Sequence, residues 1–237
     1  YPEQVKISGG TPIILNTTQE DGFKITKEQI KSKCTNKTKI LVLNYPSNPT
    51  GSTYTKDELL EIADAAKEKN LIVLSDEIYD KIIYSGEQHV SFPQLSQDAK
   101  ERTILVNGVS KTYSMTGWRI GYAAGNSSVI SAMNNLSGQS TSNPTSISQK
   151  AAIEAFSGNQ DKVGEMLVEF GTRKDYISSF LNNIIGVKCY VPMGAFYVFP
   201  DISYYFGKKF KGKTISNSIE LTDFLLDEGK VAVVPGI

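Results

Sequence analysis

Lys39-Ile40-Leu41-Val42-Leu43-Asn44 is an apolar run without alternation, closed by the turn-forming stretch Tyr45-Pro46-Ser47-Asn48-Pro49-Thr50-Gly51. So short a continuous run, bounded by Pro and Gly, predicts a strand buried on both faces, the habit of a parallel sheet. Downstream, Thr55 with Glu58 three residues on makes a capping box. Leu59, Ile62, Ala63 and Ala66 then recur at helical spacing until about Asn70. Leu71-Ile72-Val73-Leu74 is a second apolar run with Ser75-Asp76-Glu77 at its carboxyl end, and Thr103-Ile104-Leu105-Val106 is a third, closed by Asn107-Gly108-Val109-Ser110-Lys111. Strands alternating with helical segments predict crossover units around a parallel sheet. Ile120-Gly121-Tyr122-Ala123-Ala124-Gly125 follows too soon for a helical crossover and is expected to pair antiparallel.

From Ser127 to Leu181 the period is helical, broken at Gly138 to Ser142, at Asn143-Pro144 and at Ser157-Gly158-Asn159. The segment Lys162 to Leu181 predicts a helix long enough to bridge two lobes. Beyond it Val187 to Val191, Phe196 to Phe199 and Val231 to Val234 read as strands, with a helix near Ile219 to Asp227. The fold class is therefore α/β: a mostly parallel sheet with helices on both faces, plus an incomplete smaller α/β domain. Residues 1–160 form the large domain, 161–185 an interdomain helix and 186–237 the small domain. A start at Tyr1-Pro2 without Met and a stop after Pro235-Gly236-Ile237 suit a piece of a longer protein.

Composition removes several function classes. Over 237 residues, 25 Lys and Arg balance 25 Asp and Glu, so no positive field draws nucleic acid or an anionic membrane. No apolar run approaches the roughly 20 residues that span a bilayer, and no signal-peptide pattern opens the chain, which points to the cytoplasm. One His and two Cys, Cys34 and Cys189, cannot build a multi-His or four-cysteine zinc site, so no metal is expected. His89, in the polar stretch Gly86-Glu87-Gln88-His89, reads as a surface imidazole.

In open α/β sheets ligands bind beyond the carboxyl ends of the strands. That rim collects Asn48 after the first run, Asp76 and Tyr79 after the second, and Ser110, Lys111 and Arg119 after the third. Each alone has a plain structural explanation, as a turn residue, a helix cap or a solvated charge. Together an amide, an acid, a phenol, an amine and a guanidinium suit a phosphorylated, nitrogen-containing cofactor better than a metal or a nucleophilic triad.

The stretch Gly108-Val109-Ser110-Lys111-Thr112-Tyr113-Ser114-Met115-Thr116-Gly117-Trp118-Arg119-Ile120-Gly121 resembles the cofactor attachment site of class I/II pyridoxal-phosphate-dependent aminotransferases, the aspartate aminotransferase family of fold type I. Asn48-Pro49-Thr50-Gly51, Asp76-Glu77-Ile78-Tyr79 and Met193-Gly194-Ala195-Phe196-Tyr197 are similar to the family's other motifs and stand in its order. The resemblance implies pyridoxal 5'-phosphate as cofactor, amino acid and 2-oxo acid substrates, and a homodimer. By the same likeness Lys111 forms the Schiff base and then acts as general acid/base, and Asp76 pairs with the pyridine nitrogen. Tyr79 and Asn48 hydrogen-bond the ring's phenolic oxygen, while Arg119 and Ser110 hold the phosphate.

The chain departs from the family pattern at Gly108, where some members carry a phosphate-binding Ser. Counterparts of the family's Gly-rich phosphate turn, ring-stacking aromatic and carboxylate-binding Arg find no place in the sequence. Ser142-Asn143-Pro144 resembles a loop that reaches the partner subunit's site in dimeric relatives, and reads equally as a plain turn. Two other outcomes stay open on the same residues: a β-lyase or related reaction, and a relative that binds the cofactor without chemistry.

Overall fold

A computed structural model describes residues 1–84, 86 and 88–236, so Glu87 of the polar stretch before His89 and the final Ile237 lie outside the described residues. Two short helices, α1 (Pro2–Ile7) and α2 (Lys27–Lys33), precede β1 (Ile40–Asn44). Helix α3 (Lys56–Glu68) crosses to β2 (Ile72–Asp76), and α4 (Gln97–Arg102) leads into β3 (Thr103–Gly108). β4 (Gly121–Ala124) completes a sheet of order β1-β2-β3-β4. The first two pairings are parallel and the last antiparallel, with Gly108 opposite Gly121, as the short β3–β4 connection predicts.

The packed face of this sheet is closed by α3. Thr55 and Glu58 form the expected capping box, in which the Thr55 N–H donates to Glu58 Oε2 at 2.7 Å. Lys24 Nζ reaches the same carboxylate at 2.8 Å. From this fixed start Leu59, Ile62, Ala65 and Ala66 fall against Leu41, Leu43 and Val73 of the strands. The small Ala65 and Ala66 side chains are fully buried in this contact.

Contrary to expectation, β1 and β2 are not buried on both faces. In β1 and β2 alike only alternate residues are buried, and Ile40 and Ile72 are 50% and 38% exposed. Ile30 of α2 and the apolar side chains of α3 share one core cluster with Leu41, Leu43 and Val73, and the continuous apolar pattern carries no mark of which face they take.

After β4 come α5 (Ser127–Ser140), α6 (Ser146–Ser157) and α7 (Asp161–Asn182), broken at Asn143-Pro144 and Gly158-Asn159 as expected, whereas α5 runs on through Gly138 to Ser140, past the break expected there. β5 (Lys188–Cys189) pairs antiparallel with β6 (Pro200–Asp201), and β7 (Lys209–Phe210) with β8 (Lys213–Thr214), before α8 (Ser218–Gly229). The strands expected at Phe196 to Phe199 and Val231 to Val234 are absent. A strand exists only through a ladder with a neighbour. Phe196 and Tyr197 instead turn their rings onto Tyr79, and Val231, Val233 and Val234 are exposed with no ladder among the described residues. No helix among the described residues is long and apolar enough to cross a membrane.

Candidate active site

The carboxyl ends of β1 and β2 are stapled together by backbone and amide hydrogen bonds. Asn44 Nδ2 and the Tyr45 N–H both donate to the Asp76 carbonyl, each at 3.2 Å, while Asn44 Oδ1 accepts from the Asn48 N–H at 2.9 Å. Asn44 thus fixes where the turn carrying Asn48 leaves the sheet. The Asp76 carboxylate accepts from the Ile78 N–H at 3.2 Å and from the Tyr1 hydroxyl. Burial, and then the hydrogen bond and charge of Asp76, push the Tyr1 phenol well above its ordinary range.

Asp76 shares an open cleft of about 280 Å³ with Val106, Asn107, Ser110, Arg119 and Ile120. Arg119 occupies the left-handed region at φ 54° and donates from Nη1 to the Thr116 carbonyl at 2.8 Å. The short turn Thr116–Trp118 therefore presents the guanidinium. Gly108 has a local reason to be Gly. A Cβ there would stand 2.7 Å from the Ile120 carbonyl oxygen and 3.0 Å from Gly121 Cα, because β4 crosses it directly.

Lys111 lies on the connection between β3 and β4, partly buried. Its Nζ is 5.7 Å from the centre of the Tyr79 ring and 5.8 Å from that of Phe196, so the amine sits against two aromatic rings. Tyr79 is buried, and its hydroxyl is 2.6 Å from that of Tyr197. Burial raises the Tyr79 phenol far above its ordinary range, and the hydrogen bond and charge of Tyr197 and the charge of Asp76 raise it further; the Asn48 side chain, within hydrogen-bonding reach, works the other way. Phe170 of α7 stacks on Phe196 at 5.3 Å and ties that helix to the aromatic cluster.

A second long-range tie brings the Asn48 turn to the segment carrying Tyr197. The N–H groups of Met193 and Gly194 both donate to the Gly51 carbonyl at 2.9 Å. Gly51 sits at φ 68°, and a Cβ there would meet the Gly194 oxygen at 2.7 Å as well as Pro192, so neither the conformation nor the space admits a side chain.

The structure thus collects Asp76, Ser110 and Arg119 around one cleft, and Asn48, Tyr79 and Lys111 around one aromatic cluster beside it. Sequence reasoning passed over Asn44, Phe196 and the hydroxyl of Tyr197. Phe196 and Tyr197 stood in a quoted motif, yet no local signal says that they meet a tyrosine more than a hundred residues earlier. His89 is a correction. It is no surface imidazole: its side chain is 10% exposed, and Nε2 lies 2.7 Å from Glu77 Oε2. The polar residues around it in sequence hid an aromatic partner, Tyr45, on which the imidazole stacks at 5.1 Å.

Comparison with known proteins brings these features under one description. The family model for "Aminotransferase class I and II" matches residues 1–237. The chain is 51% identical over 237 residues to an aspartate aminotransferase of Bacillus sp. (strain YM-2), covering 100% of this chain and 59% of that protein. It is 47% identical over 236 residues to the aspartate aminotransferase of Bacillus subtilis (strain 168), with the same two coverages. Among solved structures, the aspartate aminotransferase from Rhizobium meliloti superposes with a TM-score of 0.92 at 39% identity, over 98% of this chain and 58% of that one. The chain spans 59% of the length of the two curated relatives.

Proposed function

The chain belongs to the class I and II aminotransferases, and from that premise we propose that the protein moves an amino group between an amino acid, aspartate or one like it, and a 2-oxo acid. Members of the aspartate aminotransferase family use pyridoxal 5'-phosphate. The donor set on the rim fits that group. Asp76 would face the pyridine nitrogen, Tyr79 and Asn48 the phenolic oxygen, Ser110 and Arg119 the phosphate, and Lys111 the aldehyde. When bound, the cofactor supplies a ring that takes up the electrons released as the substrate Cα loses its proton.

The remaining work falls to the chain's own residues. Lys111 Nζ, in its neutral form, takes the proton from the substrate Cα and later returns one, as a general base and acid. Asp76 would offer its carboxylate to the ring nitrogen, an acceptor that favours a proton there. Tyr197 holds the phenol of Tyr79, and Phe196, on which Phe170 stacks, lies against the Lys111 amine. Arg119 offers a planar fork to phosphate oxygens, with Ser110 beside it. Gly108 contributes no donor, for the steric reason given above.

The observation that carries this reading is the placement of the Lys111 amine against Tyr79, on the same rim as Asp76 and Arg119. Elimination on the same residues was the open alternative, and the transferase names of the relatives favour transfer. Residues 1–160 serve as the cofactor-binding domain in this reading, 161–185 as the connecting helix and 186–237 as the small domain. The protein acts in the cytoplasm as a homodimer. Sedimentation of an active monomer contradicts that part.

Product analysis tests the reaction. With aspartate, pyridoxal phosphate and a 2-oxo acid acceptor, transfer yields a new amino acid in step with acceptor consumed. Pyruvate and ammonia released from a β-substituted amino acid, with no dependence on acceptor, would mean elimination instead.

A further inference from the structure

Directly behind Asp76, on the packed side of the sheet, lies a buried carboxylate that the reaction above does not use. Glu77 is 2% exposed and meets four donors: the Tyr45 hydroxyl at 3.2 Å, Ser75 Oγ at 2.8 Å, the Phe92 N–H at 3.0 Å and His89 Nε2 at 2.7 Å. Burial alone raises the carboxyl. The hydrogen bond and charge of His89 and the Phe92 N–H outweigh burial and hold it below the ordinary range. His89 Nδ1 is buried and finds no partner among the described residues, so the imidazole is held by Nε2 and by its stacking on Tyr45. A buried polar group left half satisfied at one atom, beside a carboxylate satisfied at both oxygens, marks Glu77 as the centre of the cluster.

Tyr45 is the link to the rim. Its hydroxyl shares one proton between Glu77 Oε1 and the Val90 carbonyl, each at 3.2 Å, while its backbone N–H donates to the Asp76 carbonyl, so one residue grips two successive residues of the same chain segment from β1. The Glu77 N–H in turn donates to the Val106 carbonyl at 2.9 Å, locking the other edge to β3. We propose that Glu77 and His89 are positioning residues for Asp76: the sealed cluster behind the sheet fixes Tyr45, and through it the direction in which the Asp76 carboxylate enters the cleft. The inference rests on the cofactor reading for what Asp76 then faces, and on the chain's own geometry for how Asp76 is held.

Two arms test it, with Glu77→Gln and, as the milder change, Tyr45→Phe, which removes the phenol and keeps both the ring and the backbone N–H. The first arm needs no cofactor. Amide hydrogen exchange should quicken about tenfold at position 45 and at Ile78, whose N–H groups bond Asp76, for one lost charge-assisted hydrogen bond. The Leu59 amide, bonded to the Thr55 carbonyl in the same core, should not change. Unaltered exchange at 45 and 78 in a folded variant, or equal quickening at Leu59, overturns the proposal. Should Glu77→Gln not fold, Tyr45→Phe decides alone, with about a threefold effect expected at the same two amides.

The second arm titrates pyridoxal phosphate and its 1-deaza analogue, which lacks the ring nitrogen, against the fluorescence of Trp118 beside Arg119. The unaltered chain should prefer the nitrogen-bearing ligand, and Glu77→Gln should shrink that preference by about tenfold. Equal weakening of both ligands would reduce Glu77 to a structural residue and overturn the proposal. Binding of neither ligand by the unaltered chain would defeat the cofactor reading, and the exchange arm then decides the positioning claim by itself.

Discussion

Asp76 and Glu77 are consecutive carboxylates at the end of β2, and they lead different lives. Asp76 faces an open cleft where its partners are a backbone N–H and a tyrosine hydroxyl, whereas Glu77 is sealed among four donors. The same contrast runs along β1 and β2. On the packed face Leu41, Leu43 and Val73 meet α3, while Ile40 and Ile72 stand half exposed. The packed face spends its residues on stability and leaves no polar group of Glu77 unmet. On the other side, the rim gathers groups whose charges and hydroxyls have room for something further. Strand alternation produces both environments from adjacent residues, so one segment anchors the core and aims the chemistry.

The largest effect should fall on the rim and leave the core intact. Lys111→Ala should lower the turnover of amino acid and 2-oxo acid by about 10⁴-fold, close to 5.5 kcal/mol of barrier, with an unchanged melting temperature. A large loss of stability in that variant would erase the division between the two faces. The opposite test is Leu59→Ala, at a side chain with no exposure in the centre of the packed face. It should cost about 3 kcal/mol in denaturant unfolding, while Ile72→Ala on the same sheet should cost less than about 1 kcal/mol. Equal costs would mean that the half-exposed face carries as much packing as the buried one.

A smaller effect belongs to the start of α3. Thr55→Ala removes the side chain that accepts from the Glu58 N–H and should cost about 1 kcal/mol, read as a lower unfolding midpoint with unchanged activity per folded molecule. The smallest change is in the pH dependence of stability. Glu77 sits below its unfolded value of about 4.3, so its contribution is complete above that pH and is lost as pH falls through the folded value. Unfolding at pH 7 and at successively lower pH should show the unaltered chain losing more stability than Glu77→Gln over that acid range. Parallel curves would place the acid sensitivity elsewhere.

Much of this division was legible in the sequence. The continuous runs at residues 39–44, 71–74 and 103–106 became β1, β2 and β3, and Thr55 with Glu58 became the cap, because these depend on neighbours in sequence. The rim residues Asn48, Asp76, Tyr79, Ser110, Lys111 and Arg119 follow from the strand ends alone. What escaped depends on distant contacts. Phe196 to Phe199 has strand-like composition, but its rings are claimed by Tyr79 and Phe170. His89 stands among polar residues, yet Tyr45 and Glu77 draw it inward from two strand ends. The unalternating runs hid the one-sided burial, since Ile40 and Ile72 are as apolar as the buried residues beside them.

The claim that the rim is a cofactor site is tested most directly by adding pyridoxal phosphate to the chain, recording the visible spectrum, reducing with borohydride and mapping the adduct by mass spectrometry. A visible band that disappears in Lys111→Ala, with the reduced adduct on Lys111, is the predicted result. An adduct spread over exposed lysines, or a band that survives in Lys111→Ala, would contradict the account.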